Sequence, residues 1–162
     1  MNAFRPFRFA SLAAALALAG LATAAVAKEG PLDGMSKAFE DAIAKGDVLA
    51  VANMYADDGM IMPPNYAPVQ GRGAIAAYYK TMTDNGFSLK LAPTAAWQDG
   101  KLASRTGTYV VFDKTGAEIE HGKWLEVWQL QASGRWLMVR DMWNSSDPLP
   151  PPPTPGVASD KK

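Results

Sequence analysis

Apolar residues recur with a helical period in the first half of the chain and with a strand period in the second. Met35, Phe39 and Ile43 stand at i, i+4 and i+8 with Ala38 and Ala42 beside them, which predicts a helix with one apolar stripe. Gly46 stops that helix, and Asp47 is placed to cap a second one running through Val48, Ala52 and Tyr55. Asp57-Asp58-Gly59 reads as a turn into a short strand, Met60-Ile61-Met62, closed by Pro63-Pro64. Residues 71–82 predict a third helix, with Ile75, Tyr78, Tyr79 and Met82 on its apolar side. From Phe87 onward, Thr, Val, Tyr and Trp take over, predicting strands at residues 87–91, 101–112, 118–130 and 136–143. Asp99-Gly100, Asp113-Lys114-Thr115-Gly116 and Ser133-Gly134 separate them at hairpin spacing. Helices first and antiparallel strands afterwards is the α+β pattern.

Alternate residues of a strand face opposite sides of its sheet. Residues 118–130 then split into Gly122, Trp124, Glu126, Trp128 and Leu130 on one face, and Ile119, His121, Lys123, Leu125, Val127 and Gln129 on the other. The last strand splits into Leu137, Val139, Asp141 and Trp143 against Trp136, Met138, Arg140 and Met142. Both faces are apolar enough to be covered, one by helices and the other by something else, such as a second subunit. The anomalies are Glu126 and Asp141, carboxyls set among tryptophans.

The whole chain has 162 residues, 16 Lys+Arg, 16 Asp+Glu, one His and no Cys. That length suits one domain. Without cysteine there is no disulfide scaffold, thiolate nucleophile or Cys-type metal site, and a lone His121 excludes any multi-histidine centre. Residues 1–27 read as a cleavable signal peptide: Arg5 and Arg8, an Ala-dominated apolar run over residues 10–22, then Ala25-Val26-Ala27. An uncleaved anchor or a plain N-terminal helix are the alternatives, but a spanning helix needs roughly 20 strongly apolar residues, so no stable membrane anchor is expected. The expected location is the periplasm or the outside. Removal of the leader takes two of the 16 basic side chains, leaving 14 against 16 acidic ones. Such a domain has no electrostatic footprint for nucleic acid. Residues 147–162 carry Pro150-Pro151-Pro152-Pro153-Thr154-Pro155 and read as a Pro-rich disordered tail, with a spacer or a ligand for a proline-binding groove as the alternative. Residues 28–146 remain as the domain.

Within it, Phe39-Glu40-Asp41-Ala42-Ile43-Ala44-Lys45-Gly46-Asp47, Met54-Tyr55-Ala56-Asp57-Asp58-Gly59 and Gly71-Arg72-Gly73-Ala74-Ile75 resemble the SnoaL-like and ketosteroid-isomerase-like families of the nuclear transport factor two-like superfamily. Gly122-Lys123-Trp124-Leu125-Glu126-Val127-Trp128, Gly134-Arg135-Trp136 and Asp141-Met142-Trp143-Asn144-Ser145 fit the same pattern, so the likeness covers residues 33–146. The resemblance implies a cone-shaped, curved antiparallel sheet wrapped around three N-terminal helices, the cystatin-like roll, with a pocket at the open end. It also implies a homodimer through the outer sheet face. Steroid isomerases of this kind use a Tyr on the first helix, a base Asp after the Asp-Asp turn and a protonated Asp on the penultimate strand. Those positions hold Phe39, Pro63 and Glu126. One carboxyl of three is present, so the resemblance does not carry over that mechanism.

Glu126 and Asp141 are the candidate catalytic residues. If the face of Glu126 lines the cone, burial raises its pKa and makes it an acid or a donor; the alternative is a glutamate satisfied by Arg140 or Lys123. Asp141 is its candidate acid/base partner, or else a carboxylate fixing Asn144, Ser145 or a turn. Tyr55, Met62, Tyr66, Tyr78, Tyr109, Trp128 and Trp143 are the candidate ligand-binding residues, suited to a small apolar organic ligand, with plain core packing as the competing account. Met60 and Trp97 share that description, and Tyr66 is placed as a lid in its Pro-rich loop. His121 points away from Glu126. Asp57-Asp58 is followed by no oxygen ligands at calcium-loop spacing, so no metal is expected and a helix-capping turn is the better account. Gly71-Arg72-Gly73-Ala74-Ile75-Ala76 matches the letters of a dinucleotide fingerprint but follows a loop, not a strand, and no cofactor is expected. The functional expectation is an exported small-molecule-binding domain with a hydrophobic cone-shaped pocket. Its chemistry, where it has any, is cofactor-free acid/base isomerisation, dehydration or cyclisation. The alternative is a non-catalytic assembly or partner-binding module using Leu125, Val127 and Met138 on the outer face.

Overall fold

A computed structural model describes residues 30–148. The leader reading of residues 1–27 and the proline run beyond residue 148 lie outside the described residues. The stripe of Phe39 and Ile43 forms α1 (Met35–Ala44), which buries both together with Ala42. The Asp47 side chain accepts the Ala50 N–H at 2.9 Å and caps α2 (Val48–Ala52). α2 is shorter than its apolar pattern, because Tyr55 opens β1 (Tyr55–Met62) instead of closing the helix. The remaining elements are β2 (Val69–Gln70), α3 (Arg72–Asp84), β3 (Ser88–Asp99), β4 (Leu102–Phe112), β5 (Glu118–Leu130) and β6 (Trp136–Ser145). The six strands make one curved, unclosed sheet in the order β2-β1-β6-β5-β4-β3, with the helices N-terminal to most of it. Every neighbouring pair is antiparallel except β1 and β6, which run parallel.

Three departures from strict alternation shape the sheet. Asp57-Asp58-Gly59 is not a helix-capping turn but a bulge inside β1, where the five steps from Tyr55 to Met60 face the two from Met138 to Arg140. Arg72 clamps that bulge, donating from Nε to the Tyr55 carbonyl at 2.7 Å and pairing with the Asp57 carboxylate at 3.0 Å. A second bulge leaves Val139 unopposed, since Val127 pairs with Arg140 and Trp128 with Met138. The expected outer-face position of Met138 is corrected by this slip: it turns inward and is 1 % exposed, while Leu125 and Met142 stay outside at 38 % and 45 %. Third, β3 runs well past residue 91, through Pro93. It is an edge strand, where a missing N–H costs no ladder bond, and the register shifts between Pro93 and Ala95.

The inner face packs on the helices through Phe39, Ile43, Val51, Tyr55, Ile61, Ile75, Tyr79, Trp128 and Met138. A second cluster of Tyr109, Val111 and Trp124 lies toward the other end of the strands. Two glycines set its shape. A Cβ at Gly107 would lie 2.4 Å from the Trp124 ring, and one at Gly122 would lie 2.7 Å from the Tyr109 ring. Each ring therefore lies close against the neighbouring strand's backbone. Gly107→Ala, whose Cβ would also lie 2.5 Å from the Ala92 carbonyl oxygen, is expected to lower the unfolding free energy by about 1–3 kcal/mol through overpacking, read from the urea midpoint; an unchanged midpoint would mean that both the ring and the edge strand give way.

Candidate functional site

Register brings together what the sequence keeps apart. Arg105 pairs with Glu126 across β4 and β5, and Glu126 pairs with Asp141 across β5 and β6. The three side chains form a transverse row on the inner face, and all three are buried. Cross-strand partners of this kind hold their Cβ atoms about 4.5–5.5 Å apart. Asp141 Oδ2 accepts the Tyr55 hydroxyl at 2.7 Å and the Tyr79 hydroxyl at 3.5 Å. The β1 bulge presents the first from the parallel neighbour of β6, and α3 presents the second. Glu126 Oε2 accepts the Trp128 indole N–H at 2.8 Å and stands 3.8 Å from an Arg105 guanidinium nitrogen. The expected partners Arg140 and Lys123 lie on the opposite face, and Asn144 and Ser145 are not the partners of Asp141.

Each carboxyl thus spends one oxygen on the protein. Asp141 Oδ1 and Glu126 Oε1 have no hydrogen-bond partner among the described residues. Since no buried side-chain oxygen there lacks a partner, both atoms reach open space. That space is a cavity of about 270 Å³ floored by the two carboxyls and walled by Phe39, Tyr78, Tyr109, Trp124 and Trp143. Glu120 stands at its wall, accepting the Tyr109 hydroxyl at 2.6 Å. The lining carries three carboxyls and no Lys or Arg.

Of the residues singled out from sequence, Glu126, Asp141, Tyr78, Tyr109 and Trp143 meet at this cavity. Tyr55 and Trp128 stand behind it, each donating to one carboxyl of the pair. Met62 lies on β1 opposite Met142, and Tyr66 is 74 % exposed in its loop; neither lines the cavity. Trp97 lies on edge strand β3, against a separate groove of about 650 Å³ beside the start of α1. His121 is on the outer face, its Nδ1 3.2 Å from Glu118 and 3.3 Å from Asp147. Arg105, Tyr79 and Glu120 were not among the sequence candidates. Arg105 had a readable signal, a cation at an alternating position between Ala103 and Gly107 on an inward face. Among the described residues no group of three or more His, Asp or Glu is placed to hold a metal ion.

Burial raises the pKa of Asp141, and the charge of Glu126 raises it further; the two tyrosine hydroxyls oppose the shift, and the result is about 7. Burial also raises Glu126, against the lowering pull of Arg105 and the Trp128 N–H. Tyr78 is pushed up to about 12, first by burial and then by the charges of Glu120, Tyr66 and Asp141. Tyr55 and Tyr79 are held well above the usual range by burial and by Asp141, so both remain donors.

Comparison with known proteins agrees with this architecture. The SnoaL-like domain matches residues 36–139. An NTF2-like protein with a cystatin-like fold from Novosphingobium aromaticivorans is 22 % identical, with a TM-score of 0.61 over 67 % of this chain and 75 % of that one. A ketosteroid isomerase-like protein from Erwinia carotovora atroseptica is 20 % identical, with a TM-score of 0.62 over 72 % and 95 %. A Mycobacterium tuberculosis protein of unknown function is 18 % identical, with a TM-score of 0.64 over 78 % and 80 %. No curated protein matches. At these identities the solved structures speak for the fold alone, and the chemistry must come from the carboxyl pair itself.

The pair makes stability depend on pH. Folded Asp141 holds its proton up to about pH 7, whereas the unfolded chain releases it near 3.8, so the folded state binds more protons between those values. Stability contributed at this site is therefore full below about pH 4 and falls as pH rises to 7. Asp141→Asn is expected to be more stable than wild type at pH 8 by a few kcal/mol, with the gap closing toward pH 5. Paired urea titrations at both pH values check this; a pH-independent gap would mean that Asp141 titrates normally.

Proposed function

This chain belongs to the SnoaL-like domain family, a group that includes isomerases and ligand-binding modules, and we propose that it binds a small, uncharged, largely apolar organic molecule in the inner cavity and moves a proton on it through Asp141. The observation that carries this reading is the pair of free oxygens, Asp141 Oδ1 and Glu126 Oε1, left open on a cavity walled mainly by aromatic and aliphatic side chains. A general base works best when its pKa lies near the working pH, and Asp141 stands at about 7. As carboxylate, Asp141 takes a proton from carbon beside a ligand carbonyl; as acid, it returns that proton to another ligand atom. No oxidant or reductant enters, so the reaction class is isomerisation, dehydration or cyclisation. The volume of about 270 Å³ sits just below the range of drug-sized pockets, which fits a ligand of about one or two rings. Three carboxyls without a cation in the lining work against anionic ligands. The signal-peptide-like pattern of residues 1–27 supports a periplasmic or extracellular setting for this work.

A second reading, self-association, is supported by the outer face, where Leu102, Leu125 and Met142 are exposed on neighbouring strands and a second copy would cover them. Light scattering at micromolar concentration is expected to give twice the chain mass for wild type and the chain mass for Leu125→Lys; a wild-type monomer removes this reading.

The acid/base reading is tested in D₂O at neutral pH with a panel of small cyclic ketones and enones, following α-proton loss by NMR. Wild type is expected to accelerate exchange, and Asp141→Asn to slow it by about 10²–10⁴-fold with unchanged circular dichroism. Glu126→Gln is also expected to lose the acceleration. Equal rates in wild type and Asp141→Asn would end the proposal of chemistry. Calorimetry separates binding from catalysis: 1-naphthol is expected to bind at least ten-fold more tightly than 1-naphthoate, and no difference would remove the charge argument.

A further inference from the structure

The two carboxyls of the pair meet different company. Asp141 faces Glu126 from β5, Tyr55 from β1, and Tyr78 and Tyr79 from α3; apart from Glu126 these are neutral hydroxyls. Glu126 faces Asp141 from β6, Tyr79 from α3, the Trp128 indole on its own strand, and Arg105 from β4. Arg105 brings the one cation that faces the pair among the described residues.

Arg105 is also held where it stands. Its side chain is 5 % exposed, one nitrogen donates to the Leu32 carbonyl at 3.2 Å, and another donates to the Ser36 hydroxyl. The guanidinium lies over the Trp124 ring, 5.5 Å from its centroid. The chain entering α1 therefore clamps the cation from one side, and the inner sheet face clamps it from the other. It lines the separate groove beside the start of α1 and does not line the cavity above the carboxyls, so it does not meet a ligand held there.

We propose that Arg105 is the positioning residue of the pair: fixed behind Glu126, it holds that carboxyl as the anion and leaves the exchangeable proton on Asp141. The inference rests on the proton-transfer reading of Asp141 and says how that role is assigned. Two carboxyls this close do not ionise independently. A permanent charge on one side decides which of them gives up its proton first, and the anion so formed raises the proton affinity of the other.

The test is a carboxyl ¹³C NMR titration of the full chain, labelled in Asp or in Glu. In wild type the step near pH 7 is expected on an aspartate carbon. In Arg105→Met it is expected to move to a glutamate carbon, with the Asp141 midpoint falling by about one pH unit or more. Should that chain not fold, Arg105→Gln keeps a donor for the Leu32 carbonyl and removes the charge. Arg105→Lys is expected to keep the wild-type assignment. Glu126→Gln, which removes the neighbouring anion, is expected to lower the Asp141 midpoint in the same way. An aspartate step that stays at its wild-type midpoint in a folded Arg105→Met or Arg105→Gln chain, or in Glu126→Gln, overturns the proposal. A purely structural arginine would change stability and leave the identity of the titrating carbon untouched. No substrate enters this experiment, so its outcome is separate from that of the exchange assay. Expected titrations in a protein that exchanges no ligand proton would leave the role of Arg105 standing and remove the chemistry of Asp141.

Discussion

Two carboxyl groups buried side by side on the inner face of an apolar sheet are the constraint that the rest of this structure answers to. A buried carboxylate without partners is among the costliest groups a fold can hold. Here four elements near the pair contribute a hydrogen-bond donor or a counter-charge. The bulged start of β1 delivers the Tyr55 hydroxyl, α3 delivers Tyr79, β5 delivers the Trp128 indole and β4 delivers Arg105. Even the bulge has its own support, since Arg72 at the start of α3 holds the Tyr55 carbonyl and the Asp57 carboxylate. Helix packing in this molecule is therefore electrostatic as well as apolar: moving α3 would unseat Tyr79 from the pair and release the clamp on Tyr55 together.

The same sheet keeps an open space above the carboxyls, although apolar interiors tend to close. The reason is where the large rings lie. Gly107 and Gly122 let Trp124 and Tyr109 settle onto neighbouring backbone, so these rings widen the wall instead of filling the middle. From the helix side, Tyr79 meets Phe39 edge-on at 5.4 Å and Tyr78 in the same manner at 5.4 Å, and Tyr78 meets Trp143 at 6.0 Å. Each of these rings is already committed to a neighbour, which leaves none free to swing into the cavity. The aromatic wall is thus rigid where the carboxyl floor is polar, the combination that gives a small ligand both shape and orientation.

Local chemistry was legible in the sequence and long-range register was not. The stripe of α1, the Asp47 cap and the three hairpin turns each depend on residues a few positions apart, and each appears where the pattern puts it. Alternation along β5 correctly set Trp124, Glu126 and Trp128 on one face, because that stretch contains no bulge. One inserted residue defeats the same reasoning, as Val139 does on β6: it turns Met138 inward, and no residue type announces it. The helical pattern through Tyr55 failed for a related reason, since parallel pairing with β6 overrides the propensity of Val-Ala-Asn-Met. The partners of Glu126 required knowing which residue of β4 lies opposite. The hairpin turn at Asp113 to Gly116 fixes that register, yet a further shift at Phe112 spoils any simple count. Arg105 was visible as an oddity on its own strand without being visible as a partner.

The site residues that the family resemblance implies sit on α1, after the Asp-Asp turn and on the penultimate strand, and in this chain only the last of these carries a carboxyl, Glu126. Phe39 instead offers a ring edge to Tyr79, and Pro63 is buried just past the end of β1. Of the hydroxyls nearby, those of Tyr55 and Tyr79 are spent on Asp141 and that of Tyr109 on Glu120, while Tyr78 stands in the cavity wall. The two paired carboxyls of the interior stand instead on the sheet side, on β5 and β6. A strand residue is fixed by ladders on both flanks, and a carboxyl placed there is oriented more tightly than one on a loop. That rigidity is what allows two acids to share a floor in a cavity with no cation in its lining: their spacing is set by the sheet, and the imbalance between them is set by a single arginine held in the row behind.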